Sequence, residues 1–319
     1  MKLAVAGLGS WGRNLVRNFD ELAELAWLCD TSAERRDEFS RRYPHARVTG
    51  DFDDLLADDE LQAVVVATPV PTHYELARSA LAAGKHVFVE KPPAVRGAEM
   101  GALCTLAADR GLVLMPGHLL LYHPAVEKLK AIVDSGELGE VMYAYSNRQN
   151  LGVVRTAENA LLSLGVHDLS VLLYLLGEEP DHVWAQGNAF LNPGVEDVVF
   201  CYLRVPSRRM AHMHLSWLDP HKVRRITVVG KEKMAVFDDM ELERKVTVYE
   251  KAAEQPSGTY GEWQTRTGDI YSPKIPNDEP LRLECRHFLS LVENGRGDGR
   301  EARDGLAVVR VLEQLQGSL

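Results

Sequence analysis

At 319 residues, of which 45% are apolar, the chain is long enough for two domains rather than one. A formal net charge of −10 excludes the basic face of a general nucleic-acid binder and of a protein held at an anionic membrane, and leaves small solutes as partners. Cys29, Cys104, Cys201 and Cys285 lie far apart with no CxxC pair and read as buried thiols. Met1 to Ala6 runs straight into a glycine turn, which leaves no room for a signal peptide. No apolar stretch reaches the length of a membrane span, so a soluble cytoplasmic protein is expected.

In chain order, short apolar runs first alternate with amphipathic segments, the pattern of βαβ units and a parallel sheet. The predicted strands are Lys2 to Ala6, Leu25 to Cys29, Ala63 to Ala67, His86 to Val89 and Val113 to Met115. Helices are predicted at Trp11 to Asp20, Ala33 to Tyr43, Tyr74 to Ala83 and Gly97 to Arg110. From Pro124 the character changes, with helices at Ala125 to Ser135 and Leu161 to Leu176, the second stopped by Gly177. The period then becomes two, giving strands at Val183 to Phe190, Val198 to Val205, Met210 to Trp217, Val223 to Val229, Met234 to Phe237 and Lys245 to Tyr249. Their short turns make them mostly antiparallel, in a sheet that leaves one face open. Glu254 to Glu279 reads as a long polar loop before closing helices at Leu281 to Glu293 and Ala302 to Leu315. The expected fold is thus α/β, with residues 1–120 as a cofactor-binding domain and 121–319 as a second α/β domain for substrate binding and oligomerisation.

Gly7-Leu8-Gly9-Ser10-Trp11-Gly12 follows an apolar strand and opens a helix, the setting in which GxGxxG binds a dinucleotide. Gly7 permits the tight turn, Gly9 lets backbone approach a pyrophosphate, Gly12 lets helix and strand pack closely, and the helix N-terminus offers N–H groups to the anion. Asp30 stands 18 residues past Gly12, where a carboxylate accepts hydrogen bonds from the adenosine ribose and favours NAD over NADP. Arg35 and Arg36 fall inside a predicted surface helix and read as solvated charges, although they also suit a 2′-phosphate. Thr68, Pro69 and His73 lie at a strand's carboxyl edge, where cofactor contact and a plain turn with Thr72 as helix cap weigh equally.

Glu90-Lys91-Pro92-Pro93 reaches the same edge, and the prolines restrain the chain around Lys91. A lysine there suits a substrate hydroxyl with growing alkoxide character; a solvated strand-end lysine is the plain alternative. Asn159, Ser163 and His167 are four apart and share one face if helical. His167 titrates in the range needed to take a proton from a hydroxyl, against the alternative of a satisfied core histidine. Asp168 turns away from that face, toward a partner on a neighbouring segment. His212 and His214 share a strand face, but two ligands do not make a zinc site. A polar face or subunit contact is preferred, and no metal is expected. Trp217 follows Ala211, Met213 and Leu215 on the opposite, core-facing side.

These motifs in this order resemble the glucose-fructose oxidoreductase and inositol dehydrogenase family, called Gfo/Idh/MocA, over nearly the whole chain. The specific carriers are Glu90-Lys91-Pro92 and Gly165-Val166-His167-Asp168, beside the glycine fingerprint and Ala67-Thr68-Pro69 with His73. The resemblance implies a Rossmann domain, an α/β domain whose open sheet joins subunits into a dimer or tetramer, and Lys91 and His167 flanking the nicotinamide. Where many members carry aspartate four residues before the histidine, Ser163 stands here, which leaves proton transfer to His167. Tyr122-His123-Pro124, Arg155 to Asn159, and Ser216 to Arg225 look like members acting on nucleotide sugars, in particular UDP-N-acetylhexosamine or uronate 3-dehydrogenases. Tyr122, Arg155, Asn159 and Ser163 are then the expected substrate contacts. Arg148, Arg155, Lys222, Arg224 and Arg225 suit a diphosphate, though each alone also reads as a solvated charge. An inositol or free-sugar dehydrogenase, and a catalytically idle NAD-sensing regulator, are the alternatives.

Overall fold

The computed structural model describes residues 1–152, 154–156, 158–255, 262–295 and 299–319. The chain divides into two compact units, Met1–Leu119 with Glu279–Glu313, and Leu120–Asp278 with Gln314–Leu319. The expectation of one continuous run from 121 to 319 is therefore corrected, because residues 279–313 return to the first unit.

In the first unit, β1 (Lys2–Ala6), β2 (Glu24–Cys29), β3 (Arg47–Thr49), β4 (Ala63–Val66), β5 (His86–Glu90) and β6 (Leu114–Gly117) form one parallel sheet in the order β3-β2-β1-β4-β5-β6. Its strands are apolar on both faces because helices cover both: α1 (Gly12–Leu22), α2 (Ala33–Arg42), α4 (His73–Ala82) and α5 (Gly97–Arg110), with the single turn α3 (Asp53–Leu56) before β4. The strand order reverses between β1 and β4, and the loops after the strands' carboxyl ends at this switch point are where such sheets hold ligands. The closing helices α8 (Pro280–Glu293) and α9 (Arg300–Gln316) return for apolar reasons. Phe288 of α8 meets Phe19 and Phe88 edge to face at 6.2 and 5.7 Å, and Ala302 and Val309 of α9 join the buried cluster of Val64, Val87 and Met100.

The second unit holds α6 (Pro124–Asp134), β7 (Val141–Gln149), a π-helical turn at Leu161–Gly165, α7 (Val166–Leu176), and seven further strands. These are β8 (His182–Asn188), β9 (Val198–Arg204), β10 (Met210–Ser216), β11 (Val223–Gly230), β12 (Met234–Asp238), β13 (Val246–Glu254) and β14 (Gln264–Tyr271). They form one sheet in the order β14-β13-β12-β11-β7-β10-β9-β8, antiparallel except for the β7–β10 pair. One face is sealed: Ala211, Met213 and Leu215 of β10 and Val199, Cys201 and Leu203 of β9 are buried on the α7 side, with Trp217 just beyond them. The other face is open, and Trp184 and Phe200 on it are 48% and 50% exposed.

The expected α/β architecture with a parallel and a mostly antiparallel sheet is the observed one. Four elements depart from expectation: β3, α3, β7 and β14. The predicted loop from Glu254 to Glu279 instead contributes β14, while residues 256–261 of it lie outside the described residues. Cys29, Cys201 and Cys285 are buried free thiols as expected, and Cys104 is partly exposed. No described helix is long and apolar enough to cross a membrane.

Candidate active site

The first unit gathers the glycine turn and the loops after β2, β4, β5 and β6 at one sheet edge. Gly7 has φ 96°, and a Cβ there would run into the Ala67–Thr68 backbone; a Cβ on Gly12 would run into the Gly7 carbonyl. These two glycines let β1, α1 and the loop after β4 approach one another. Gly9 faces open space apart from Arg35. Among the described residues the N–H groups of Gly9, Ser10 and Trp11 meet no backbone acceptor, and they stand at the positive end of α1. The cradle fits a pyrophosphate.

Asp30 is buried, and its two oxygens accept the Leu8 and Ser32 N–H groups, each at 2.8 Å, so the carboxylate also braces the glycine turn against the start of α2. Arg35 is exposed, as expected of a surface helix, and Arg36 partly so, yet both also reach back to the end of β2. Arg35 Nη1 lies 3.3 Å from Asp30 Oδ2, and Arg36 Nη1 donates to the Asp30 and Thr31 carbonyls at 2.8 and 2.9 Å. Both arginines fold back because the strand end offers them acceptors that the helix surface does not.

His73 is not a surface residue, being 1% exposed. Its ring joins the Thr68 carbonyl (Nε2, 2.7 Å) to the Pro92 carbonyl (Nδ1, 2.8 Å), and burial lowers its basicity. It therefore acts as a clamp between the loops after β4 and β5. Thr72 precedes α4 without a side-chain cap; its hydroxyl donates to the Pro69 carbonyl at 2.7 Å and meets Thr68 Oγ1 at 2.7 Å. At the end of β5, Glu90 accepts Trp11 Nε1 at 2.5 Å and the Lys91 backbone N–H at 3.2 Å. Burial pushes the Glu90 carboxyl up, opposed by those donors and by the Lys91 charge. His118, just past β6, is a site residue that sequence reasoning missed. It is 4% exposed, its Nε2 has no partner among the described residues, and burial together with the Lys91 charge pushes it down to about 4. The signal available was a polar residue at a strand's carboxyl end.

In the second unit the predicted helix from Leu161 opens as a π turn and becomes α-helical only at Val166. Gly165 makes the fit possible, since a Cβ there would press on Leu215 of β10 and on Leu161. Asn159 and Ser163 stand one turn apart, the Ser163 N–H donating to the Asn159 carbonyl at 3.0 Å, and His167 follows the π turn. Asn159 precedes the helix and is committed to structure: its Oδ1 accepts the Leu162 N–H at 3.1 Å, and its Nδ2 donates to Glu196 and Gln316 at 2.7 and 2.9 Å. Ser163 is buried with Oγ unpartnered among the described residues, and His167 is partly exposed. Inserted π turns of this kind recur at functional sites. Asp168 does turn to a neighbouring segment, where Oδ1 accepts Arg148 Nε and Nη2 at 2.9 and 2.7 Å, with both side chains almost fully buried.

The basic residues do not form one cluster. Arg148 on β7 and Arg224 on β11 sit opposite each other on the covered face, whereas Arg225 points to the open face and pairs with Asp238 at 2.5 Å. Arg155 pairs with Glu158 at 2.7 Å, and Ala157 of that segment lies outside the described residues. Burial and the Arg148 charge lower the Arg224 guanidinium, whose carboxylate, Asp239, is 3.7 Å away and is also approached by Lys245 at 3.5 Å and His123 at 3.7 Å. Among the described residues, Arg148, Arg224 and Lys245 here face the carboxylates of Asp168 and Asp239. His123, beside Tyr122, caps α6 through Nδ1 and packs on Phe237. His212 stacks on Tyr145 at 4.9 Å and His214 on Phe200 at 4.3 Å, so both serve aromatic stacks on the open face.

Two family models match the chain: the oxidoreductase family with an NAD-binding Rossmann fold over residues 1–118, and the GFO/IDH/MocA C-terminal domain over 126–236. The UDP-N-acetylglucosamine 3-dehydrogenase of Acidithiobacillus ferrooxidans is 29% identical over 98% of this chain and 94% of its own length. A solved structure of that enzyme superposes with a TM-score of 0.85 at 25% identity, covering 100% of this chain and 97% of the other. A solved structure from Magnetospirillum magnetotacticum gives 0.83 at 30% identity, covering 99% of each chain. The scyllo-inositol 2-dehydrogenase (NAD(+)) of Bacillus subtilis is 26% identical over 93% of this chain and 87% of its own. The chain belongs to the GFO/IDH/MocA family and is an oxidoreductase of the class that acts on CH–OH groups, built on an NAD-binding Rossmann fold.

Proposed function

We infer that the protein is an NAD-linked dehydrogenase that oxidises a ring hydroxyl of a nucleotide sugar to a ketone, with a UDP-N-acetylhexosamine or its uronate as the best-fitting substrate and C3 as the carbon. The observation that carries the anionic substrate is Arg224, a half-buried guanidinium beside Arg148 whose share of carboxylate is divided with Lys245 and His123. A neutral polyol offers such a cation hydrogen bonds but no counter-charge, whereas a phosphate or carboxylate offers both. Likeness to the UDP-N-acetylglucosamine 3-dehydrogenase over almost the whole chain points the same way. NAD is favoured over NADP by the Asp30 carboxylate at the end of β2.

Bound NAD would supply the acceptor for the hydride that leaves the sugar carbon. The backbone N–H groups of Gly9, Ser10 and Trp11 would hold its pyrophosphate, and the His73 clamp fixes the loop of Thr68 and Pro69. Lys91 donates a hydrogen bond to the substrate hydroxyl and stabilises its alkoxide character, and His167 takes the hydroxyl proton. Ser163 Oγ orients a neighbouring substrate hydroxyl but is too weak a base to replace the histidine. Tyr122 contributes a wall of the sugar site. Copies of the chain associate through the open sheet face.

The test is reduction of NAD by UDP-N-acetylglucosamine, its uronate, scyllo-inositol and free sugars, with wild type, Lys91→Met, His167→Ala and Arg224→Met. Either of the first two variants is expected to lower kcat by about 100-fold or more, the usual weight of a general acid–base group, with little change in NAD affinity. Arg224→Met is expected to raise KM for the UDP-sugars alone. Turnover of inositol but of no UDP-sugar replaces the substrate, and tight NAD binding with no turnover of any sugar replaces the dehydrogenase with a cofactor sensor.

A further inference from the structure

Beneath the glycine turn lies a second buried acid that the proposed chemistry does not use. Phe88 and Phe288 meet ring to ring at 5.7 Å. Glu90 follows Phe88 by two residues on the same side of β5, and Glu284 precedes Phe288 by four on the same side of α8. The ring contact sets that side of the strand against that side of the helix, and Glu284 lies close enough to Glu90 to feel its charge. Glu284 is 0% exposed, and neither of its oxygens meets a donor among the described residues. Glu90, by contrast, accepts from Trp11 Nε1 and from the Lys91 N–H.

Two carboxylates buried side by side cannot both ionise cheaply, and the one that keeps its proton is the one without donors. We propose that Glu284 remains protonated at neutral pH, so that the Glu90–Glu284 pair presents at most one negative charge to Lys91, carried by Glu90. Glu284 is thus a positioning residue acting on Lys91 through Glu90. The surrounding groups fit this distribution. From the end of β6, His118 is buried and held neutral; from α1 come Trp11, Asn18 and Arg17, the last paired with Glu279; α8 itself adds Cys285, whose thiol is pushed up. Burial and the charge of Glu90 hold the Glu284 carboxyl well above the usual range.

Only the consequence for Lys91 rests on the dehydrogenase reading; the proton itself is measured without NAD or sugar. Infrared spectra of the wild-type protein at neutral pH are expected to show a protonated-carboxyl stretch that is absent from Glu284→Gln and Glu284→Met. The sign of the linked stability follows from the raised carboxyl: the unfolded chain ionises first, so the native state becomes relatively less stable as pH rises above the ordinary value of 4.5. Glu284→Gln should accordingly gain in Tm over wild type, by a margin that grows from about pH 5 to about pH 8, whereas a packing effect alone is independent of pH. Absence of the band at neutral pH, its survival in both variants, or a constant Tm difference overturns the proposal. Should both variants fail to fold, carboxyl-labelled wild type decides: one glutamate resonance must stay at its protonated position across neutral pH.

Discussion

Asp30 does two jobs, and both bear on the proposed preference for NAD. Its oxygens hold the Leu8 and Ser32 N–H groups, and its charge occupies Arg35, which would otherwise be available to a 2′-phosphate. Asp30→Ala is therefore expected to lower kcat/KM with NAD and raise it with NADP, moving the ratio by at least about tenfold, the effect of ~1.4 kcal/mol at one charged contact. Steady-state rates with both cofactors check it, and an unchanged ratio removes Asp30 from discrimination. The glycine positions, Asp168 as a partner and Trp217 as core were legible because each follows from local spacing alone. The burial of His73 and the place of His118 were not, since each depends on a loop that arrives from elsewhere in the chain; the contacts of Arg35 and Arg36 are local, to Asp30 and Thr31, and were passed over because a helix surface reads as solvated. Asn159 stands one turn before Ser163 as its spacing says, but spacing does not show that its amide is taken up by Leu162, Glu196 and Gln316.

At the scale of elements, strands with apolar runs were readable and polar ones were not. β7 is central and nine residues long, yet its covered face carries Ser146 and Arg148, so apolar alternation is missing where burial is greatest. β14 is an exposed edge strand of Gln, Thr, Arg and Asp, which reads as loop until its partner β13 is known. The return of α8 to the first unit is likewise a tertiary choice, made by the rings of Phe19, Phe88 and Phe288. Phe288 is fully buried, so Phe288→Ala removes a ring from that junction and should cost about 3–5 kcal/mol of stability. Denaturant unfolding measures it. A cost below about 1 kcal/mol would mean that α8 is held by its other contacts, since a surface change is typically that small.

At the scale of the whole molecule, a chain carrying −10 leaves one sheet face uncovered, and the two facts oppose each other in self-association. Trp184, Phe200 and Met210 on that face are each at least two-fifths exposed, and Tyr143, Tyr145, His212, Phe200 and His214 stack along it. Contiguous apolar surface of this kind marks an interaction site more often than a free face. Like charge on two copies repels over about 10 Å at moderate salt, while burial of aromatic surface does not depend on salt. Assembly through this face is thus expected to strengthen as salt rises, the opposite of an interface held by ion pairs. Phe200→Glu replaces the ring that stacks with His214 by a carboxylate, and in light scattering at micromolar concentration it is expected to stay monomeric under conditions where wild type assembles. A wild-type monomer at every salt concentration, or a Phe200→Glu protein that assembles as wild type does, would show that copies meet elsewhere or not at all.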